Sequence, residues 1–268
     1  MLLVLSSLPA MTDIILKRKP LVEAILEVRW ELTSPAPNIN VDPHFKLLLG
    51  RYFDRVSKDY PEYEQLPAGM VPEELAAGRF PQHRFRIKKA AWPLIQLGPG
   101  MLTVNSTDDY VWSDFKSRTV KAVQTLFDAH PKPSDLKITS LLLRYLDAVN
   151  FNFEKENVLE FLQKKMQFTV GLPQEIFADR VKPNPLHMTL NLTFPSMKPE
   201  GNATLRFYNG NKGDTPVLIW ETIFESSGKA IPEMPNEFEA WILQAHDLTH
   251  DWFFKLIEGD LFKEFGGE

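Results

Sequence analysis

Glu23, Glu27 and Glu31 fall four residues apart in the stretch EAILEVRWEL, residues 23–32, with Arg29 between the last two. In an extended chain successive side chains alternate between faces. The three carboxylates and the guanidinium therefore share one face with Ile25, while Ala24, Leu26, Val28, Trp30 and Leu32 form the other. Carboxylates can hold a divalent ion or act as acid and base, and guanidinium groups clamp phosphate or carboxylate oxygens two at a time. A second basic set, Arg84, Arg86 and Lys88, alternates with Phe85 and Ile87. Arg144 stands in a third strand-like run, LLLRYLDAV. If the sheet closes round an interior, Arg206, Glu221 and Glu225 would join these residues in lining it. If it does not, the same residues make a solvated sheet face with cross-strand ion pairs of about 0.2–1 kcal/mol each.

Other chemistry finds weaker footing. In HDLTHD, residues 246–251, His246 and His250 are one helical turn apart, the spacing of a two-histidine metal pair. The metalloprotease pattern needs Glu directly after the first His, and Asp247 is one methylene shorter. His187 is the one upstream donor that could complete a set. Both histidines flank an apolar stripe, where half-buried, hydrogen-bonded His is common, so the reading is no metal and no cofactor. There is no cysteine and no G-x-S-x-G elbow, and no catalytic residue is assigned. GPG and NGNKG lack the lysine-serine/threonine ending of a phosphate-binding loop. RFRIKK, residues 84–89, could touch a nucleic-acid backbone, yet an ordinary amphipathic strand has the same pattern. A net charge of −5 also argues against nucleic acid and against an anionic membrane.

The elements that must position these groups come from hydrophobic period. A strand over 21–32 precedes a helix opened by Asp42 as N-cap and Pro43 and running to Tyr60. A surface connection over 61–81 leads to strands at 83–88, 93–97 and 101–105, the last two joined by a Pro-Gly turn. A helix follows over 111–129. A strand in LKITSLLLRYLDAVNF then leads to a helix over 155–166 and strands at 186–194, 203–208 and 216–225, with Asn-Gly hairpin chemistry in NGNKG. A long helix closes the chain from residue 236. Each half reads strand, helix, three strands, helix, and the pair Arg29-Trp30 is echoed 115 residues later by Arg144-Tyr145. The expected fold is α+β: two similar strand-helix-strand-strand-strand-helix halves forming a largely antiparallel curved sheet, with helices packed on one face. Residues 1–16 are expected as a flexible N-terminal extension, 17–134 as the first half and 135–268 as the second, packed as one globular unit. The opening MLLVLSSLPAM lacks a basic start and is too short to span a bilayer, so Met11 is read as the start.

Four segments together, KPLVEAILEVRWEL, IQLGPGMLTVNSTDDYVWSDF, ITSLLLRYLDAVNF and AHDLTHDWFFKLIEGDLFKEFG, resemble the signature regions of a family of sporadically distributed prokaryotic proteins of this length. The likeness runs from Lys17 to Gly267. That family carries Asn where this chain has Asp147. The resemblance implies no activity, cofactor or catalytic residue, and its sporadic occurrence suggests accessory or defence-related cargo.

Hydrophobic content of 44% with 24% charge suits a globular protein, and the absence of cysteine fits a reducing compartment, so the cytoplasm is expected. Six Trp and nineteen Phe imply bulky cores. The resulting functional reading is a non-catalytic binding or interaction protein. Its candidate ligand-binding residues are Glu23, Glu27, Arg29, Glu31, Arg84, Arg86 and Arg144, and its partner is a protein or a small ligand. Homo-oligomerisation stays open. The alternative is a metal-dependent phosphohydrolase resembling the triphosphate tunnel enzymes, whose Glu-x-Glu-x-Lys alternation is partly echoed by EVRWE.

Overall fold

Nine strands form one antiparallel sheet, and burial alternates residue by residue most clearly along residues 23–30, 83–86, 140–147 and 202–208. The computed structural model describes residues 16–37, 39–72, 77–107, 109–178 and 180–267. In chain order the elements are β1 (Leu21–Trp30), β2 (Thr33–Ala36), β3 (Ile39–Val41), α1 (Phe45–Val56), β4 (Glu62–Gln65), β5 (His83–Arg86), β6 (Leu94–Gly98), β7 (Met101–Ser106) and α2 (Trp112–Ala129). They continue with β8 (Ile138–Asn150), α3 (Val158–Lys165), β9 (Thr189–Met197), β10 (Glu200–Lys212), β11 (Thr215–Ser227), α4 (Phe238–Ile257) and α5 (Asp260–Glu264). The large sheet has the order β4-β5-β6-β7-β1-β8-β11-β10-β9, and β2 pairs with β3 apart from it. Outward from β1 the neighbours are β7, β6, β5 and β4; outward from β8 they are β11, β10 and β9.

At the centre, Leu26 lies opposite Leu143 and Glu27 opposite Leu142. Ala24, Leu26 and Val28 are fully buried, as are Leu141 and Leu143 of β8. They meet α1 through Leu48 and Tyr52, α2 through Phe115 and Leu126, and α4 through Trp241 and Ile242. A second cluster on the same face packs Leu205, Phe207, Leu218 and Trp220 against α3, the later turns of α4, and α5. Helix formation follows the apolar stripes rather than strong caps, since α1, α2 and α4 have no side-chain cap. The exception is α3, where Asn157 accepts from the amides of Leu159 and Glu160. No helix of the described residues is long and apolar enough to cross a membrane.

Several local expectations are corrected. The first strand ends at Trp30, which leaves Leu32 and Glu31 beyond it. Asp42 does not cap α1 at the N-cap position. Its Oδ1 accepts from the His44 amide, while Oδ2 accepts from Trp30 Nε1 at 2.8 Å and from the Gly100 amide at 3.3 Å. That carboxylate ties β1, the β6–β7 turn and the start of α1 together, and the helix stops at Val56 rather than Tyr60. The connection over 61–81 includes the edge strand β4. The strand expected to reach Lys88 stops at Arg86, with Lys88 in the following turn. In the β10–β11 hairpin Lys212 faces Thr215, so Gly213-Asp214 makes the turn and Asn209, Gly210 and Asn211 stay in the strand. Gly213 holds φ +61°, which suits the first position of a II′ turn. The Pro99-Gly100 turn stands where expected, with Gly100 at φ +77°. Of the six tryptophans, Trp92 is the exposed one. Leu16, assigned to the extension, is buried in the second cluster; residues 1–15, with Met11, lie outside the described residues.

The two faces of β1 make opposite predictions. Leu26→Ala should lower unfolding free energy in urea by about 2–5 kcal/mol, the cost of a cavity in a closed core. Ile25→Ala, on the other face, should cost clearly less. Equal losses would mean that the assignment of faces is wrong.

Candidate functional site

The face of the sheet opposite the helices carries polar side chains on every strand from β4 to β10. Register places them exactly enough to name neighbours. Glu23, Ile25 and Glu27 of β1 stand opposite Leu146, Arg144 and Leu142 of β8. Those in turn stand opposite Glu221, Ile223 and Glu225 of β11. Arg144 is thus the centre of a three-by-three lattice with carboxylates at its four corners and aliphatic side chains on its four sides. Corner and centre positions are roughly 7–8 Å apart, within reach of long side chains.

Each corner carboxylate has its own partner. Glu23 accepts from Asn105 Nδ2 at 2.8 Å, and burial raises its pKa, with that hydrogen bond and the Arg144 and Arg84 charges pulling it back down. Glu27 pairs with Arg29, whose other nitrogen donates to the Gly78 carbonyl. Glu225 accepts from the Ser140 hydroxyl at 2.8 Å. Glu221 is the most enclosed, with 3% of its side chain exposed. Its Oε2 takes Arg206 at 3.1 Å, its Oε1 accepts from Tyr208 at 2.9 Å, and Arg144 Nη1 lies 3.6 Å from Oε1. Burial, and then the bond to Glu221, pushes the Tyr208 hydroxyl up to about 12. Arg144 Nε is buried with no hydrogen-bond partner among the described residues.

Further along the face, Arg84 donates to Gln96 Oε1 through Nε and Nη2, and pairs with Glu64 at 3.3 Å. Arg86 also approaches Glu64, at 3.6 Å, donates to the Ala91 carbonyl and lies over the Trp92 ring. Gln96, Thr103 and Asn105 connect this group to Glu23. The structure therefore brings Glu23, Glu27, Arg29, Arg84, Arg86 and Arg144 onto one face, and leaves Glu31 outside it. Glu31 pairs with Lys137 beyond the end of β1. Lys88 is exposed past the end of β5. At the Arg29 end a cleft of about 370 Å³ is lined by Arg29, Glu31, Arg79, Gly78, Gly100 and Thr139, among others.

Sequence reasoning missed Glu64, Gln96, Thr103, Asn105 and Tyr208. Period-two alternation in EYEQ and QLGPGMLTVN carries the signal for the first four, but only strand order says whom they meet. The carboxylates do not gather round a common point. Glu23 and Glu27 are about 13 Å apart along β1 at strand rise, and no group of three His, Asp or Glu side chains suited to a metal ion occurs among the described residues.

His246 and His250 lie on the helix-covered side instead. The His246 ring stacks on Trp112 with centroids 3.6 Å apart, and its Nδ1 is 2.9 Å from the Tyr145 hydroxyl, which also meets Tyr110 at 2.9 Å. Burial, with a smaller effect from His250, depresses the His246 pKa to about 3. His250 packs between His246 and Phe254 and is lowered by burial as well. The pair is a packing and hydrogen-bonding unit.

On the same side Asp147 is a carboxyl on the apolar phase of β8, 2% exposed, with Oδ2 lacking a partner among the described residues. Burial alone raises its pKa from 3.8 to about 8. No protein-family model matches the chain, and a search of curated proteins gives no match.

Asp147 generates a pH prediction. A carboxyl raised in the folded state binds its proton more tightly there than in the unfolded chain. Its penalty is absent below the unfolded value near 4, grows between pH 4 and 8, and is constant above. Asp147→Asn should therefore gain stability over the wild type progressively from pH 4 to 8, by an amount on the order of a few kcal/mol. Thermal unfolding of both proteins across this range checks the slope; a gain independent of pH would mean that Asp147 is not held neutral.

Proposed function

We propose that this protein is a non-catalytic binding protein whose ligand or partner meets the open, charged face of the nine-stranded sheet. The observation that carries the reading is the lattice centred on Arg144. Charged side chains are set in register across three central strands, partly desolvated and pre-positioned by one another, with half-buried Ile25, Leu142 and Leu146 between them. Such a surface combines apolar area with oriented hydrogen-bonding groups, which is what recognition requires. Catalysis asks for something else: a nucleophile, or an acid and base converging on one reacting atom. The open face has its acids dispersed, each with its own hydrogen-bond or ion-pair partner. The phosphohydrolase alternative depends on carboxylates sharing an ion, and the spacing of Glu23 and Glu27 does not favour it.

The finer architecture belongs to the same proposal. Two duplicated halves, 17–134 and 135–268, are supported by the similar neighbour orders about β1 and β8, with β4 as an extra edge strand in the first, and by the Arg-aromatic pairs at 29–30 and 144–145. Membership of the sporadic prokaryotic family that the four segments resemble, and a cytoplasmic location, complete the reading.

Immobilised protein incubated with cell lysate tests it. A Leu142→Gln/Leu146→Gln double variant, which replaces the apolar area of the open face by polar side chains without touching the core or placing like charges opposite the glutamates, should lose whatever protein or small molecule the wild type retains, while unfolding at a similar temperature. Retention unchanged by the double substitution would move the binding surface elsewhere. Complete absence of retained material on wild type would remove the proposal.

A further inference from the structure

The arginines of the open face differ in how many donors they have left. A guanidinium offers five N–H groups. Arg84 commits three nitrogens to Gln96 and Glu64. Arg86 is held by Ala91, Glu64 and the Trp92 ring. Arg29 is held by Glu27 and Gly78. Arg206 makes one hydrogen bond, through Nη1 to Glu221. Arg144 makes an ion pair with that carboxylate at 3.6 Å, and its Nε has no partner. The remaining donors of Arg144 and Arg206 have no hydrogen-bond partner among the described residues.

Depth separates the charges at this point. The side chains of Arg144 and Arg206 are 30% and 37% exposed, whereas Glu221 beneath them is 3% exposed. One buried carboxylate is shared by two guanidinium groups, while Glu23 and Glu225 at the neighbouring corners are engaged by Asn105 and Ser140. Glu221 and the Tyr208 hydroxyl bound to it fix the two cations from below. Leu146 and Ile25, half-buried, stand beside Arg144.

Resting on the binding function proposed above, we infer that Arg144 and Arg206 form an anion seat for a small organic phosphate or carboxylate, whose apolar body lies on Leu146 and Ile25. Planar guanidinium forks match the paired oxygens of either group. The low exposure of Glu221 keeps the competing negative charge out of contact with the ligand. Arg84 and Arg86 lie about four strand spacings away, roughly 19 Å, too far to share a small ligand with Arg144, and each is held in place by its own neighbours.

Titration calorimetry with phenyl phosphate, benzoate and inorganic phosphate, in EDTA and at low ionic strength, tests the assignment. Phenyl phosphate or benzoate should bind saturably, more tightly than inorganic phosphate, and the stronger of the two distinguishes a phosphate from a carboxylate ligand. Arg206→Met should weaken binding roughly tenfold or more, the loss expected for a charge-assisted pair, and Arg84→Met should leave it unchanged. Glu221→Gln retains the shape and removes the competing charge, so it should bind the anion more tightly; a purely structural role for Glu221 would weaken it. No saturable binding of any probe by wild type, or equal binding by Arg206→Met, would overturn the anion seat. Lysate retention that still depends on Leu142 and Leu146 would then leave the broader binding reading standing, and loss of both would remove the two together.

Discussion

The antiparallel pairing of β1 with β8 is the constraint from which the rest of the molecule follows. It sits at the middle of the sheet, with four strands on the outer side of β1 and three on the outer side of β8. Its register puts Leu26 against Leu143 under the helices and Glu27 against Leu142 on the open face. A slip of one residue would turn Glu23, Glu27 and Arg29 into the core and Leu26 and Val28 out to the open face. Burying several charges without partners costs several kcal/mol each. The apolar phase of β1 therefore fixes where the charged phase must stand, and the lattice about Arg144 is a consequence of core packing.

Asp147 shows how strict this division is. It occupies the core phase of β8, directly opposite Trp220, and the fold accommodates it by holding a proton rather than by supplying a cation. Tyr145, two residues earlier on the same phase, solves the same problem with its hydroxyl, which meets Tyr110 and His246. His246 is kept neutral by the same burial. Asp147, Tyr145 and His246, buried beneath the helices, are thus held uncharged, whereas the ion pairs between residues of the sheet stand on its open face.

Much of this was legible in the sequence because phase is a local property. The alternation in EAILEVRWEL assigned Ala24, Leu26, Val28 and Trp30 to the core and Glu23, Glu27 and Arg29 to the other face, and the burial agrees. The Pro99-Gly100 turn was readable from the one backbone requirement that glycine meets. Partnership was not legible, because it depends on strand order. Asn105 reaches Glu23 across 82 positions, and Trp30 meets Asp42 only after the chain has passed through β2 and β3. Glu64 was hidden in a stretch that looks like a loop, since a four-residue edge strand is too short to establish a period. The histidine pair shows the same limit: i, i+4 spacing on a helix suits a metal, but it also suits ring packing on Trp112 and Phe254, and only the fold names those partners.

Counting charges would also mislead about what the open face offers. The chain carries a net charge of −5, and the lattice itself holds four carboxylates to one arginine. Recognition, however, depends on which atoms reach solvent. A carboxylate has a short stem and sinks among its donors, whereas an arginine extends its charge on a long aliphatic stem. Placed side by side on a sheet, the two residue types sort by height: Glu221 lies below, and the guanidinium groups of Arg144 and Arg206 lie above it. The buried layer lowers the mobility of the cations and offsets their mutual repulsion without screening their outward donors. An acidic protein can in this way present a cationic surface locally, and a row of glutamates in a strand-like stretch need not announce a metal site.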